Sequence, residues 1–495
     1  MRRTVGALLA SLTLAATCAP SVPTPPLPSP STPSPPSSPS AGVGTGPFRY
    51  AITEPDAIVP GDVVDPGGLT VVDTLFDSLT AYDSDGGVVP AAAVSWEPDP
   101  SATEWTFALR PGATFHDGSP VTARSFVDSW TRAARRGAAG YHLADVAGYD
   151  RVSADPQAAF TGLAAVDDAT LVVRLSHPLA DFPAVVAHPA LGPLPPAALT
   201  APDLAAGFAD RPVGNGPFQM RVDEPWVRGR FLRAIRFDQW LGGPRPAALD
   251  EVLFQFDDPD TAYVAFQQGR RDFAEVPAGA LAQARRRYPV APDGYSGPGL
   301  LTGLTGSLYY LGMNLAAPPF TNVEVRRALS LAVDRDMLAR ATREGNAQPA
   351  LAAAPRSVPG ARFRNCQDCR HGPEEARRLF AAAGVTELEL WFNQGGGHER
   401  IVGLLADQLE AVGVTLRTRS PELLPGQAPL PAYLDALRTG QASLFRFGWT
   451  VDYPTLDNAL RPIFSGAAAG VDGAGNYGRF ADPEIDGLLD RAHHP

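Results

Sequence analysis

Between Thr386 and Thr418 the hydrophobic period changes twice. The segment TELELWF (386–392) alternates like a half-buried strand. HERIVGLLADQLEAVG then places Ile401, Leu404, Leu405, Leu409 and Val412 on one helical face and stops at Gly413. VTLRT (414–418) returns to strand composition. A helix between two strands carries the chain back to its starting edge, so the strands pair in parallel. This order commits the region to an α/β lobe.

Other segments add elements without repeating that unit. TEWTFALR (103–110) reads as a strand and VTARSFVDSWTRAA as a helix, with Ala123, Phe126, Val127 and Trp130 at helical spacing and Thr122 as cap. Between them, Pro111-Gly112 and Asp117-Gly118 are turn dipeptides around a short ATFH strand. His116-Asp117 therefore lies in a bend, and no third group suggests catalysis. Thr321 and Glu324 have the spacing of a capping box before Val325, Ala328, Leu329 and Ala332. Asn215 falls in a glycine- and proline-bounded turn (214–217) and is expected to be structural.

The amino terminus gives an address. Arg2 and Arg3 precede an apolar run from Val5 to Ala16, the length of a signal-peptide core and too short to span a bilayer. Cys18 follows, where bacterial lipoproteins are cleaved and lipidated, although Thr17 is unusual before such a cysteine. Residues 19–46 are Pro/Ser-rich, cannot bury a core and favour extended conformations. They are expected to form a stalk between a membrane anchor and the folded body.

Several function classes drop out. The net charge is -12, which argues against nucleic acid. All 41 basic residues are Arg, so no phosphate loop of the G-x-x-x-x-G-K-[ST] type exists. HERIV (398–402) begins like a zinc-protease helix, but Val402 stands where the second His belongs, and no G-x-S-x-G elbow occurs. Gly395-Gly396-Gly397 could cradle phosphate, but a lone glycine run is weak. Cys366 and Cys369, in NCQDCRHG, allow zinc, redox or structural use; export to an oxidising compartment favours a small structural disulfide.

Several blocks, in order from about residue 48 to 491, carry a resemblance. They are LFDSLTAYDSDGGVVPAAAVSWEPDPSATEWTFALRPGATFHDGSPVTARSFVDSW, PVGNGPFQM (212–220), YYLGMNLAAPPFTNVEVRRALSLAVDRDML, GPEEARRLFAAAG and FRFGWTVDYPTLDNAL. Together they resemble bacterial extracytoplasmic solute-binding proteins of family 5, the dipeptide/oligopeptide-binding receptors of ABC importers. The Cys366-x-x-Cys369 loop is similar to the actinobacterial-type oligopeptide-binding subgroup. TEPDAIVPG (53–61) departs from the pattern, with Val59 where the family has Asp.

The resemblance implies an α/β, two-lobe periplasmic-binding-protein-like fold (class II type) with an extra subdomain in the N-terminal half. The expected parts are a signal peptide with lipidated Cys18 (1–18), the stalk (19–46), lobe I (47–80 and 205–298), an inserted subdomain (81–204) and lobe II (299–478). Residues 479–495 would begin a return to lobe I that the sequence cuts short. A peptide would be engulfed between closing lobes and delivered to a membrane permease and its ATPase. Asp452 would pair with the ligand's α-ammonium; Trp449 and Tyr453 would line the same pocket; Tyr309, Tyr310 and Asn314 are further cleft candidates. No Arg can be assigned to a ligand carboxylate. The resemblance implies no catalysis, no cofactor and no metal, and a monomer held outside the cell membrane by its lipid. Alternatives are a metal chelate or oligosaccharide as cargo, a peptide sensor, or a secreted hydrolase.

Overall fold

Three sheets organise the chain. The structure, a computed structural model, describes residues 46–493 except 201–202, 224, 243–248, 292–296, 342–346, 363–365, 395–396, 422–428 and 470–474. Cys18 and the rest of 1–45, and Gly395-Gly396, lie outside the described residues.

The first sheet runs Phe48–Ile52, Glu251–Phe256, Phe231–Arg236, Phe218–Met220, with Trp226–Val227 beside Phe231–Arg236. Its outer pair, 48–52 with 251–256, is parallel; the other pairs are antiparallel. Helix Pro66–Leu75 covers it, capped by the Asp65 carboxylate accepting from the Gly68 amide at 2.7 Å. Val71, Val72 and Leu75 are buried against Leu232, Val252 and Phe254.

The second sheet, in order Ala93–Pro98, Glu104–Leu109, Thr170–Arg174, Leu163–Ala165, is antiparallel throughout. Trp105, Phe107 and Leu109 alternate inward, as period two requires. Helix Ala123–Arg136 lies against this core through Phe126 and Trp130, and the Trp130 indole N–H donates to the Leu191 carbonyl at 2.8 Å. Thr122 is its cap residue.

The third sheet, Ser307–Met313, Leu444–Thr450, Glu387–Trp391, Thr415–Arg419, contains the expected β-α-β unit. Strands 387–391 and 415–419 are parallel and joined by helix His398–Ala411, and 387–391 is also parallel to 444–450. Apolar clusters lie on both sheet faces. One contains Val325, Leu329, Leu379, Leu405 and Leu444; the other contains Trp391, Tyr433, Phe445, Phe447 and Trp449. Covering on both faces is what a mostly parallel sheet requires.

Two local expectations change. Helix Val323–Ala332 is capped by Asn322, whose Oδ1 accepts from the Glu324 amide at 2.9 Å, and not by Thr321. Asn322 stands at the position next to the helix start, where its side-chain oxygen reaches the free amide, as Asx caps do. ATFH forms no strand: Thr114 makes a single bridge to Pro120, because the turn at 116–119 reverses the chain too soon. Cys366 and Cys369 are disulfide-bonded in a short turn. Ser330 Oγ donates to the Asp368 carbonyl at 2.7 Å and Arg335 to that of Cys369 at 3.2 Å, fastening the turn to its helix.

His116 is a clamp. Its amide donates to the Gly214 carbonyl at 2.8 Å, its Nδ1 accepts from the Gly214 amide at 3.0 Å, and its Nε2 donates to the Gly216 carbonyl at 3.1 Å. Phe237 meets the ring edge-on at 4.9 Å. Gly214 is obligatory there, since a Cβ would stand 2.0 Å from the Leu75 carbonyl oxygen. Both ring nitrogens are committed, so the imidazole has no free nitrogen for catalysis. His116→Ala is expected to lower unfolding free energy by about 3 kcal/mol, because two partners lose their bonds in a desolvated site. Ligand affinity should change less than about twofold, since the clamp only joins two loops. A chemical-denaturation curve and a titration of the same variant check both parts.

Candidate ligand crevice

Strands 307–313 and 444–450 pair antiparallel, with Tyr309 opposite Gly448 and Leu311 opposite Arg446. Tyr309 and Arg446 therefore point to one face, and the Arg446 guanidinium lies 5.1 Å from the Tyr309 ring centre. His398, first residue of its helix, closes the cluster with its ring 5.7 Å from that of Tyr309. Arg446 Nη2 donates to His398 Nε2. A guanidinium can only donate, so the neutral imidazole carries its proton on Nδ1, which faces the Tyr309 hydroxyl at 3.4 Å. Burial and the Arg446 charge lower His398 to about 4. Arg446 Nε is buried without a hydrogen-bond partner, and the guanidinium has no carboxylate partner among the described residues. Nearby in sequence, Asn393 follows strand 387–391 and is 8% exposed, its Oδ1 without a partner.

Asp452 lies two residues beyond the end of the same 444–450 strand. Its amide donates to Asn458 Oδ1 at 2.8 Å, and Asn458 Nδ2 donates weakly back to its carboxylate at 3.4 Å. Water reaches the side chain, yet protein crowds it on several sides. That desolvation holds the carboxyl above its ordinary range, opposed by the Asn458 bond. No cation pairs with it among the described residues. Across from it, the crowded Tyr141 hydroxyl feels the Asp452 charge, and the two effects push Tyr141 up to about 12.

The other sequence candidates take different places. Tyr453 packs against the core of the second sheet and so pins the Asp452 loop to the N-terminal half. Trp449 faces away from Arg446, buried at 7% exposure, and its indole N–H donates to the Asn458 carbonyl at 2.8 Å. It holds helix Leu456–Phe464 from behind and does not open into the crevice. Tyr310 faces the same core, edge-on to Phe447 at 5.8 Å. Asn314 follows the opposite end of strand 307–313, where its Oδ1 accepts from the Ala316 amide at 3.0 Å and makes a turn. Tyr309 and Asp452 thus share a strand end that Asn314 does not reach. Period two puts Tyr309 and Tyr310 on opposite faces, and the antiparallel register puts Asn314 at the other end of the sheet from Asp452.

Sequence reasoning missed Arg446 and His398 as site residues. One signal existed: Arg446 is the only charged residue in the otherwise apolar strand LFRFGWT. A cation in a covered strand is costly and needs a reason.

The N-terminal half supplies a cavity of about 370 Å3, lined among others by Asp73, Asp77, Ser78, Thr80 and Tyr82. Asn215 braces this rim by pairing with both backbone groups of Asp77 at 3.0 Å, and the Trp240 indole N–H donates to the Asp77 carboxylate at 2.7 Å. Ser78 Oγ donates to the His188 carbonyl at 2.9 Å. The His188 ring lies 4.0 Å from that of His142, which lies 4.2 Å from that of Tyr141. A continuous stack therefore runs from the cavity rim to the residue facing Asp452. The site offers an anion and a cation, each without an opposite charge among the described residues, on one strand and just beyond its end, six residues apart in sequence. Open α/β sheets bind ligands outside the carboxyl ends of their parallel strands, and this strand end fits that rule.

Residues 87–470 match the family model described as bacterial extracellular solute-binding proteins, family 5 middle. The chain is 28% identical over 466 residues to the probable deoxycholate-binding periplasmic protein YgiS of Escherichia coli, covering 90% of this chain and 82% of that protein. It is 26% identical over 436 residues to the periplasmic oligopeptide-binding protein OppA of the same species, covering 84% and 75%. Among solved structures, the periplasmic murein tripeptide binding protein MppA in its unliganded open form matches with a TM-score of 0.77 at 24% identity, covering 90% of this chain and 85% of that one.

Proposed function

This chain belongs to the bacterial extracellular solute-binding proteins of family 5, and from that premise we propose that it captures short peptides between its two lobes and hands them unaltered to an ABC permease. Asp452 receives the α-ammonium, and Arg446 with His398 receives the carboxylate. The observation that carries this is the pair of opposite charges on and just beyond strand 444–450, Arg446 and Asp452, neither with an opposite charge among the described residues. Burying one partner of a charge pair is costly, and a zwitterionic guest supplies both missing partners at once. The strand rises at most about 20 Å over the six residues between the charges, which with inward-leaning side chains suits peptides of about three to five residues. Main-chain contacts and water would accept varied side chains between the two ends.

Chemistry on the cargo is not expected, and family relatives carry binding names. The body would work as a monomer outside the membrane, with Cys18 lipidated and residues 19–46 as the tether. Among the described residues, no helix is long and apolar enough to cross a membrane. Lobe I would comprise 47–80 and 205–298, the insert 81–204 and lobe II 299–478.

Calorimetric titration with peptides of two to eight residues, each as free acid and as amide, tests the reading. A free-acid tetrapeptide should bind, and amidation should weaken it by about tenfold or more, the usual worth of a charge-assisted bond. Arg446→Met should remove the difference between acid and amide. A site that binds deoxycholate and ignores every peptide would reject the peptide assignment.

A further inference from the structure

Residues 145–181 of the N-terminal half meet residues 453–493 of the C-terminal half. The Ala180 amide donates to the His493 carbonyl at 2.9 Å. His177 Nε2 lies 3.4 Å from Asp145 Oδ1, and His493 Nε2 lies 3.0 Å from Asp457 Oδ1. The two imidazole rings face each other across the junction at 5.7 Å, nearly parallel at 26°. Arg461 joins Asp457 at 2.8 Å and Asp490 at 3.1 Å. Asp181 is bonded by Thr455, and the Tyr453 ring enters the core of the second sheet beside them. With neutral imidazoles, Asp145, Asp181, Asp457 and Asp490 are set, among the described residues of the cluster, against the one cation Arg461.

We propose that this cluster is a proton-operated clasp between the two halves: protonation of His177 and His493 supplies the missing positive charge and fastens the two halves together in acid. Each imidazolium would face its own carboxylate at 3.0–3.4 Å, closer than the 5.7 Å between the rings, so attraction exceeds their mutual repulsion. The charge balance of the cluster moves toward neutrality with each proton. Burial raises Asp145 above its ordinary range, and the charges of His177 and His493 oppose that rise, as expected of carboxylates awaiting cations. The titrating residues of the clasp are not those assigned to the ligand, so it is tested on the ligand-free protein.

Hydrogen exchange of the full chain at pH 5.5 and 7.5, corrected for intrinsic rates, should show about tenfold greater protection at the lower pH in peptides covering 178–182 and 488–493. His177→Gln, at a half-exposed position, should cut that gain to about threefold or less, and Asp145→Asn should do the same from the other side of the pair. Equal protection at both pH values would overturn the proposal. So would an undiminished tenfold gain in both variants.

Discussion

Asp452→Asn should weaken binding of a short peptide with a free amino terminus by about 100-fold, within the 2–5 kcal/mol measured when one partner of a desolvated charge pair is removed. The amide keeps the shape of the carboxylate and can retain the Asn458 contacts, so the loss reports charge and not packing. The same peptide acetylated at its amino terminus should lose less than about threefold, because it brings no ammonium to the recess. The ligand-free protein should become slightly more stable, since a carboxyl held above its ordinary range is a charge the fold tolerates at a cost. For the same reason wild-type affinity should fall as pH drops through the raised value, because the protonated carboxyl no longer attracts an ammonium. Titration of both peptides, with a thermal melt of each apo protein, measures all of this. Equal losses for the free and acetylated peptides would move the ammonium site elsewhere.

Stability should fall steeply below pH 6. His116 and His188 are each lowered to about 4, chiefly by burial, and His142 is lowered well below its ordinary value by burial and by His188. The unfolded chain takes up these protons near pH 6.5, whereas the native state takes them up only near 4. Between those values the unfolded state holds more protons, so stability is present above pH 6.5 and is lost as pH falls toward 4. For His116 and His188 the loss should reach roughly 2–3 kcal/mol each by pH 4.5. Protonating His116 also removes the acceptor that Nδ1 offers to the Gly214 amide, so the clamp opens with the proton. Urea midpoints at pH 7.5, 6, 5 and 4.5 should decline progressively, and His116→Ala should show a smaller decline from a lower start. A midpoint that stays level from pH 7.5 to 4.5 would mean that these imidazoles are not buried in the neutral form. The proposed clasp acts with the opposite sign, but locally, so exchange at 178–182 and global unfolding should respond to acid in opposite directions.

Much of the fold could be read from the chain because it was written in local periods. The 386–418 unit has its apolar residues at spacings of two, then three and four, then two, and only a parallel pair with a covering helix buries them all. The Asp117-Gly118 bend and the Thr122 cap are likewise local. Non-local pairing was not legible. Phe48–Ile52 pairs with Glu251–Phe256 across some two hundred positions, and nothing in either segment names the other. Of the candidate site, the block FRFGWTVDYP pointed to Asp452, but Arg446 was passed over within the same block. Trp449 and Tyr310 are typical crevice aromatics by type, yet strand parity turns both into the core.

By itself the sequence determined that the body is α/β, where its turns and caps fall, and that one acidic residue stands beside an aromatic strand end. These follow from backbone periodicity and local hydrogen bonding, which neighbouring residues set between themselves. Only the tertiary structure decided that Arg446, Tyr309 and His398 meet, that Tyr453 anchors Asp452 to the opposite half, and that two His–Asp pairs face each other at the junction. The meeting of Tyr309 and Arg446 depends on sheet register, where a shift of one residue would have turned either side chain to the other face, and the rest depend on how helices and loops pack across the chain.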